Sequence, residues 1–279
     1  MQEADLRGAL CRTNSSLVAH GYLRRCRFAN RFWFLSPDWA MWFIPTTISL
    51  ILGVGSFAST ADVTPLWEQL IFVAFVVCAF VASFLVTCTD PGVYPRLSVG
   101  ERDPLDGASF VTCKVCGVKR PPRSAHCYIC GVCVLDHDHH CGVIGGCVGM
   151  RSLRWFTLYL VSISIAAIIA LCWLLLRILQ VRGKVRQEAG TKHPNGAAMA
   201  TNIILLVFVA NVVLLVGGLA CYYMYLMATD TTRREAQGKQ RKNLSPSEKY
   251  LCWHLWRSMF PPASLLCDLR RPEDKMELV

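Results

Sequence analysis

Charge is what this chain has least of where it is most apolar. Only 17% of its 279 residues are Asp, Glu, Lys or Arg. Four blocks hold almost none of them: about Trp39 to Ala58, Leu66 to Val86, Trp155 to Leu179 and Ala197 to Ala228. Spans so free of charge argue against a channel or transporter, whose pathways need intramembrane charge or broken, repeated helices. No short apolar run followed by small residues accompanies Arg24, Arg25, Arg27 and Arg31, so no cleavable signal peptide is expected. No basic stripe with interleaved aromatics stands apart from the apolar flanks, which excludes nucleic acid as a partner. Neither end carries a peptide-binding repeat or another recognisable recruitment module.

What is present is hydrophobic residues, 53% of the chain, gathered in blocks rather than spread at the period of a soluble core. Each block reaches the ~20 residues a helix needs to cross hydrocarbon. The expected fold is an all-α membrane protein with four transmembrane helices. The first block contains Pro45, Gly53 and Gly55, so a buried soluble helix or a re-entrant segment competes there. Membrane helices tolerate both residue types, and it is kept as a span.

Basic residues set the orientation, because they accumulate on the cytoplasmic side of short loops. Lys and Arg number six before the first span, none between the first two, eight from Thr89 to Arg154, five from Arg177 to Lys192 and ten after Thr229. The expected arrangement is a cytosolic segment 1–38, two spans in 39–88, a cytosolic cysteine-rich zinc domain in 89–154, two spans in 155–228 and a cytosolic segment 229–279. Arg182, Lys184 and Arg186 pull mildly the other way. The net charge of +10 follows largely from this topology, with attraction to anionic headgroups or an anionic coenzyme A ester as a second reading.

Of 15 cysteines, seven lie between Cys113 and Cys147, with His126, His137, His139 and His140 among them. In reducing cytosol this density suggests zinc rather than disulfides. Cys113-x2-Cys116, Cys127-x2-Cys130 and Cys130-x2-Cys133 have ligand spacing. Two structural Zn2+ sites of four ligands each would use eight of the eleven candidates. A cysteine left over beside a spare histidine is what an activated nucleophile and its base look like. Composition does not say which cysteine is left over.

The run Cys113-x2-Cys116-x9-His126-Cys127-x2-Cys130-x2-Cys133-x4-Asp138-His139-His140-Cys141-x5-Cys147 resembles the cysteine-rich domain of DHHC palmitoyltransferases at every ligand spacing. Lys119 to Ser124 is similar to the basic Pro-x-Arg stretch of that family, and Asp90-Pro91-Gly92 to its Asp-Pro-Gly motif. With the span order, the resemblance covers roughly residues 39 to 235. It implies one zinc set of Cys113, Cys116, His126 and Cys133 and a second of Cys127, Cys130, His140 and Cys147. It further implies Cys141 as acyl-accepting nucleophile, His139 as base and Asp138 as the group orienting the imidazole. In extended chain His139 and Cys141 share a side while His140 points away, which suits those roles. Asp138 must reach His139 through a bend.

The implied reaction moves a long-chain acyl group, palmitoyl by expectation, from acyl-CoA through a Cys141 thioester to cysteines of membrane-associated proteins. Palmitoyl-CoA or a similar ester is the expected co-substrate, the bilayer an expected partner, and the Golgi, endoplasmic reticulum or plasma membrane the expected location. Ala166, counted without gaps from Cys147, would lie near the closed end of the acyl cavity and favour longer chains. The alternative is a membrane-anchored zinc adaptor of little or no activity. Several positions depart from the family pattern: Gly142-Val143 stands for Pro-Trp, Gly145-Gly146 for Asn-Asn and Ser152-Leu153 for Asn-Tyr. In Thr231-Thr232-Arg233-Arg234-Glu235 the acid of Thr-Thr-x-Glu comes one position late.

Among other residues, His137 is expected to be a solvated neighbour, and Asn202 and Asn211 to form packing hydrogen bonds between helices. Glu68 and Arg177 are expected to snorkel to the interface. Cys11, Cys26, Cys252 and Cys267 are possible acylation sites, though idle thiols are commoner. Tyr250 to Phe260 reads as an interfacial aromatic segment, and the sequons at Asn14 and Asn243 are expected to stay unglycosylated.

Overall fold

The computed structural model describes residues 22–28, 31–94, 110–121, 123–187, 196–237 and 259. The readings made above for Cys11, Cys252, Cys267, Asn14, Asn243 and the Tyr250 to Phe260 segment, Met259 apart, lie outside these residues. So do the side chains of Cys26, Arg182, Lys184 and Arg186.

In order, the chain forms an antiparallel hairpin of β1 (Arg24–Phe28) and β2 (Arg31–Leu35), a 3-10 turn at Trp39–Trp42, then α1 (Phe43–Thr60) and α2 (Leu66–Cys88). Short strands follow: β3 (Val93–Tyr94), β4 (Ala125–Cys127), β5 (Val132–Val134), β6 (His139–Cys141) and β7 (Gly146–Val148). The remaining helices are α3 (Leu153–Gln187), α4 (Gly196–Ala228) and the short α5 (Arg233–Gln237). Four helical stretches, Trp39–Thr60, Leu66–Cys88, Leu153–Gln180 and Gly196–Ala228, are long and apolar enough to cross a membrane. Each expected span is therefore a helix, extended by a few residues at its ends. Pro45 falls in the first turn of α1, where its missing N–H costs no intrahelical bond. Helicity stops short of the whole chain, because the segment between α2 and α3 is built from strands.

The described chain divides into two compact units. One comprises Phe43–Ser83 and Thr157–Tyr223. Small residues let its helices approach closely: Ala166, Ala167 and Ala170 pack with Phe72, Trp173, Leu174, Leu205 and Val209. A Cβ on Gly55 would lie 3.2 Å from Leu205 Cδ2, so α1 and α4 meet there because glycine is present. Glu68 and Arg177 each have a polar partner near a helix end. Glu68 accepts a 2.7 Å hydrogen bond from Trp173 Nε1, and Arg177 lies 2.9 Å from Asp62. In an apolar setting a nearby partner satisfies these groups. Asn211 donates to Val207 O of its own helix rather than to a neighbour, while Asn202 is buried.

The other unit holds residues up to Trp42, Phe84–Phe156 and the chain from Met224. Its centre is the sheet β3-β5-β4, whose Val132 and Val134 are fully buried. Beside it stands the two-stranded β6-β7 ribbon. Asp90 anchors the entry to this unit. Its Oδ1 accepts the N–H groups of Gly92 and Val93, each at 2.8 Å, and its Oδ2 pairs with the Arg151 guanidinium. Gly149 sits where a Cβ would come within 2.6 Å of both Pro91 O and Val134 Cγ1, so the chain entering α3 passes the sheet only as glycine.

Candidate active site and metal clusters

Strand periodicity and register explain why the two cysteine and histidine sets interleave in sequence. His126 pairs across the sheet with Cys133, and His140 pairs across the ribbon with Cys147. Directly opposed residues on antiparallel strands bring their side chains together on one face. Cys127 follows His126 on the same strand and so points to the other face. Each cross-strand pair is completed by a Cys-x2-Cys turn. In both turns the second cysteine N–H points at the first sulfur, at 3.4 Å, and a glycine of positive φ follows, Gly117 at 71° and Gly131 at 69°. The repeated Cys-x2-Cys-Gly was a local signal for these turns, beyond the ligand spacing itself.

The result is two four-donor groups. In each of them, Cys113, Cys116, His126, Cys133 and Cys127, Cys130, His140, Cys147, the ligand atoms lie within 4.8 Å of one another. In the first, His126 Nδ1 lies 3.2 Å from Cys116 Sγ, and the Cys116 and Cys133 sulfurs are 3.8 Å apart. In the second, His140 Nδ1 is 3.6, 3.5 and 3.4 Å from the sulfurs of Cys127, Cys130 and Cys147. Four soft donors converging at such distances can each hold one metal ion. Hydrogen bonding to Cys133, helped by the charge of His126 and opposed by burial, holds the Cys116 thiol down to about 5.

His137 is a correction. It is buried, not solvated, with Nε2 3.8 Å from Cys147 Sγ of the second group. Its N–H donates to Arg123 O at 3.2 Å on the path between β5 and β6, and no sequence signal announced that.

Between the ligands His140 and Cys147 lies Cys141, the last residue of β6. Asp138, His139 and Cys141 form a connected array. Asp138 Oδ2 is 2.8 Å from His139 Nδ1, and the His139 imidazole and the Cys141 thiol are near enough to shift each other's titration. The bend that Asp138 needed is stabilised by its own N–H donating to Val148 O of β7. Its second carboxylate oxygen accepts the Arg233 N–H at 2.5 Å, at the first residue of α5. Phe156 meets the imidazole edge to face, with centroids 5.5 Å apart. Burial works to lower the His139 pKa, but the hydrogen bonds to Asp138 and Cys141 outweigh it and lift the group to about 9. Burial likewise raises the Cys141 thiol. The hydrogen bond from His139 and the backbone N–H groups of Ile144 and Val143 outweigh it, leaving the thiol below its ordinary value. A half-exposed thiol of lowered pKa beside a basic imidazole can act as a nucleophile.

Three of the departures from the family pattern have local roles. Gly145 has φ +70°, and a Cβ there would collide with the Asp38 carbonyl and lie 2.9 Å from Trp39 Cα. Ser152 accepts from Gly149 N–H and donates to Cys147 O, both at 3.0 Å, tying the last cysteine of the second group to the start of α3. Thr232 and Glu235 form a capping box on α5: Glu235 Oε2 accepts from Thr232 N at 2.8 Å, and Thr232 Oγ1 accepts from Glu235 N at 3.3 Å. The late acid is thus the residue a Thr-x-x-Glu box requires. Arg123, at 3.2 Å from Glu235 and 3.3 Å from Asp230, holds the same element. Val143, in place of the usual tryptophan, is exposed.

Comparison with known proteins agrees with this geometry. Residues 108–240 match the model of the DHHC palmitoyltransferase family. The chain is 29% identical over 136 residues to a probable protein S-acyltransferase 7 of Arabidopsis thaliana, covering 47% of this chain and 29% of that one. It is 30% identical over 187 residues to a Drosophila melanogaster palmitoyltransferase, ZDHHC8, covering 61% of this chain and 19% of that one. The chain thus carries a DHHC palmitoyltransferase domain over residues 108–240. It spans less than a third of the length of these two relatives.

Proposed function

We propose that this protein is a protein S-acyltransferase in which Cys141 carries the acyl group. The observation that supports this most is the Asp138, His139 and Cys141 array, in which His139 and Cys141 stand on β6 either side of the ligand His140 and Asp138 directly precedes the strand. In the first half-reaction the Cys141 thiolate attacks the thioester carbonyl of a long-chain acyl-CoA. The C–S bond to coenzyme A breaks, and His139, which took the Cys141 proton, returns it to the departing CoA thiolate. In the second, a substrate cysteine gives its proton to His139 and attacks the acyl-Cys141 carbonyl. The acyl group moves to the substrate, and Cys141 recovers the proton. Asp138 positions the imidazole and stabilises its protonated form.

Each four-donor group suits one Zn2+. Tetrahedral zinc with Zn–S near 2.3 Å and Zn–N near 2.0 Å places sulfurs ~3.8 Å and sulfur and nitrogen ~3.6 Å apart, close to the spacings described. With four protein ligands the ion would be structural and hold β6 and β7 in register. The basic residues of the termini and of the cysteine-rich segment support a cytosolic active site and cytosolic termini, on an endomembrane or the plasma membrane. The acyl chain would lie in the hydrocarbon layer, where each buried methylene contributes ~0.8 kcal/mol. Ala166, a small buried residue on α3 near Ala167 and Ala170, supports acceptance of long chains, palmitoyl included. The substrates would be membrane-associated proteins with cytosolic cysteines.

The test is labelling with a clickable palmitate analogue. Hydroxylamine-sensitive label present in the wild type and absent from Cys141→Ala supports the acyl-enzyme. Label that persists in the variant places the acyl group on other cysteines. No label in either, with metal still bound, turns the reading to a membrane-anchored zinc adaptor.

A further inference from the structure

The second four-donor group has an outer partner outside the 39 to 235 stretch that resembles the family. His140 presents Nδ1 to the three sulfurs, and its other nitrogen, Nε2, lies 3.3 Å from Asp38 Oδ2. A ligating imidazole whose far N–H meets a carboxylate is held in one tautomer and one orientation.

Asp38 is held in place from three sides. The Ser36 hydroxyl donates to Gly145 O at 2.6 Å and accepts from Asp38 N at 3.1 Å. The Asp38 carbonyl accepts from Met41 N at 2.9 Å and packs where Gly145 has no side chain. Just upstream, Tyr22 N–H donates to Cys130 O at 2.8 Å, and Leu23 and Phe34 are buried in one cluster with Cys127, Cys130 and Cys147. Hairpin, turn and carboxylate thus all bear on the second group. The first group is packed instead by Tyr94, Val118 and Leu135.

We propose that Asp38 is a positioning residue for the second Cys3His site. Its carboxylate faces His140 Nε2 and, by favouring the proton on that nitrogen, leaves the Nδ1 lone pair for the metal and makes retention of that metal depend on the N-terminal segment. The proposal rests on the reading that these groups bind metal.

The test uses the purified full chain, metal-loaded, in lipid nanodiscs. Metal content is measured first. A chelator is then added, and alkylation of each cysteine is followed by mass spectrometry. In Asp38→Ala, alkylation of Cys127, Cys130 and Cys147 should accelerate ~10-fold or more, with Cys113, Cys116 and Cys133 at wild-type rates. Asp38→Asn, which keeps an acceptor oxygen but loses the charge, should fall between. Unchanged rates at Cys127, Cys130 and Cys147 overturn the proposal, as does equal acceleration of both sets, since that is general loosening. If the wild type holds no metal and all six cysteines react without chelator, the metal reading fails, and that result is visible before any variant is compared.

Discussion

The two four-donor groups share a composition and a construction, a Cys-x2-Cys-Gly turn plus a cross-strand His/Cys pair, yet they differ in what they hold. The first closes on the domain's own sheet, with Tyr94, Val118 and Leu135 around it. The second shares strand β6 with Cys141 and is covered by the N-terminal hairpin. Identical donor chemistry therefore serves two tasks. One group lies in the central sheet, and the other reaches into β6, where His140 lies between His139 and Cys141.

That contrast can be broken by experiment. The largest effect is expected where the second group is opened. Cys147→Ala should remove one metal per chain and lower the rate of Cys141 acylation by at least ~100-fold, because ligand loss uncouples β6 from β7. Cys116→Ala should also remove one metal but lower acylation less, by ~10-fold. Metal analysis beside acyl-enzyme formation reads both, and equal losses of rate would dissolve the distinction. Asp138→Asn sharpens the comparison from the other side. Acylation should fall ~100-fold or more with both metals retained, since the carboxylate touches His139 and Arg233 N–H rather than a sulfur.

Smaller effects test the supports. Gly149→Ala places a Cβ against Pro91 O and Val134. It should destabilise the domain by about 2 kcal/mol, seen as a lower thermal midpoint for release of both metals. Thr232→Ala removes the capping box of α5 and should cost about 1 kcal/mol locally. Because the Arg233 N–H of α5 holds Asp138, acylation should drop a few-fold with metal content unchanged. A change in metal content there would show that α5 supports the clusters too.

Much of this was legible beforehand. Hydropathy alone located four spans, since a helix in hydrocarbon needs ~20 apolar residues whatever its neighbours. The bringing together of Cys113, Cys116, His126 and Cys133, and of Cys127, Cys130, His140 and Cys147, followed from spacing compared with the family pattern. Strand alternation supplies the physical reason they separate. The side-sharing of His139 and Cys141 is the same rule on β6. Other features could not be read. His137 looked like one more histidine in a polar run, and its inward turn depends on the path from β5 to β6. Glu68 and Arg177 showed no partner in the sequence, and packing pairs them with Trp173 and Asp62. The departures at Gly145, Ser152 and Glu235 looked like losses until their contacts gave them roles.

By itself, then, the sequence determined what is local or periodic: the apolar blocks, the Cys-x2-Cys turns and the shared side of His139 and Cys141. Each of these rests on residues close in the chain or on a repeat of two or 3.6 residues. Tertiary structure alone decided which carboxylate faces His140, what fastens Asp138 and where His137 points. Asp38 lies about one hundred positions from His140, and Arg233 almost as far from Asp138. Whether such distant groups meet is settled by packing, which no local propensity encodes.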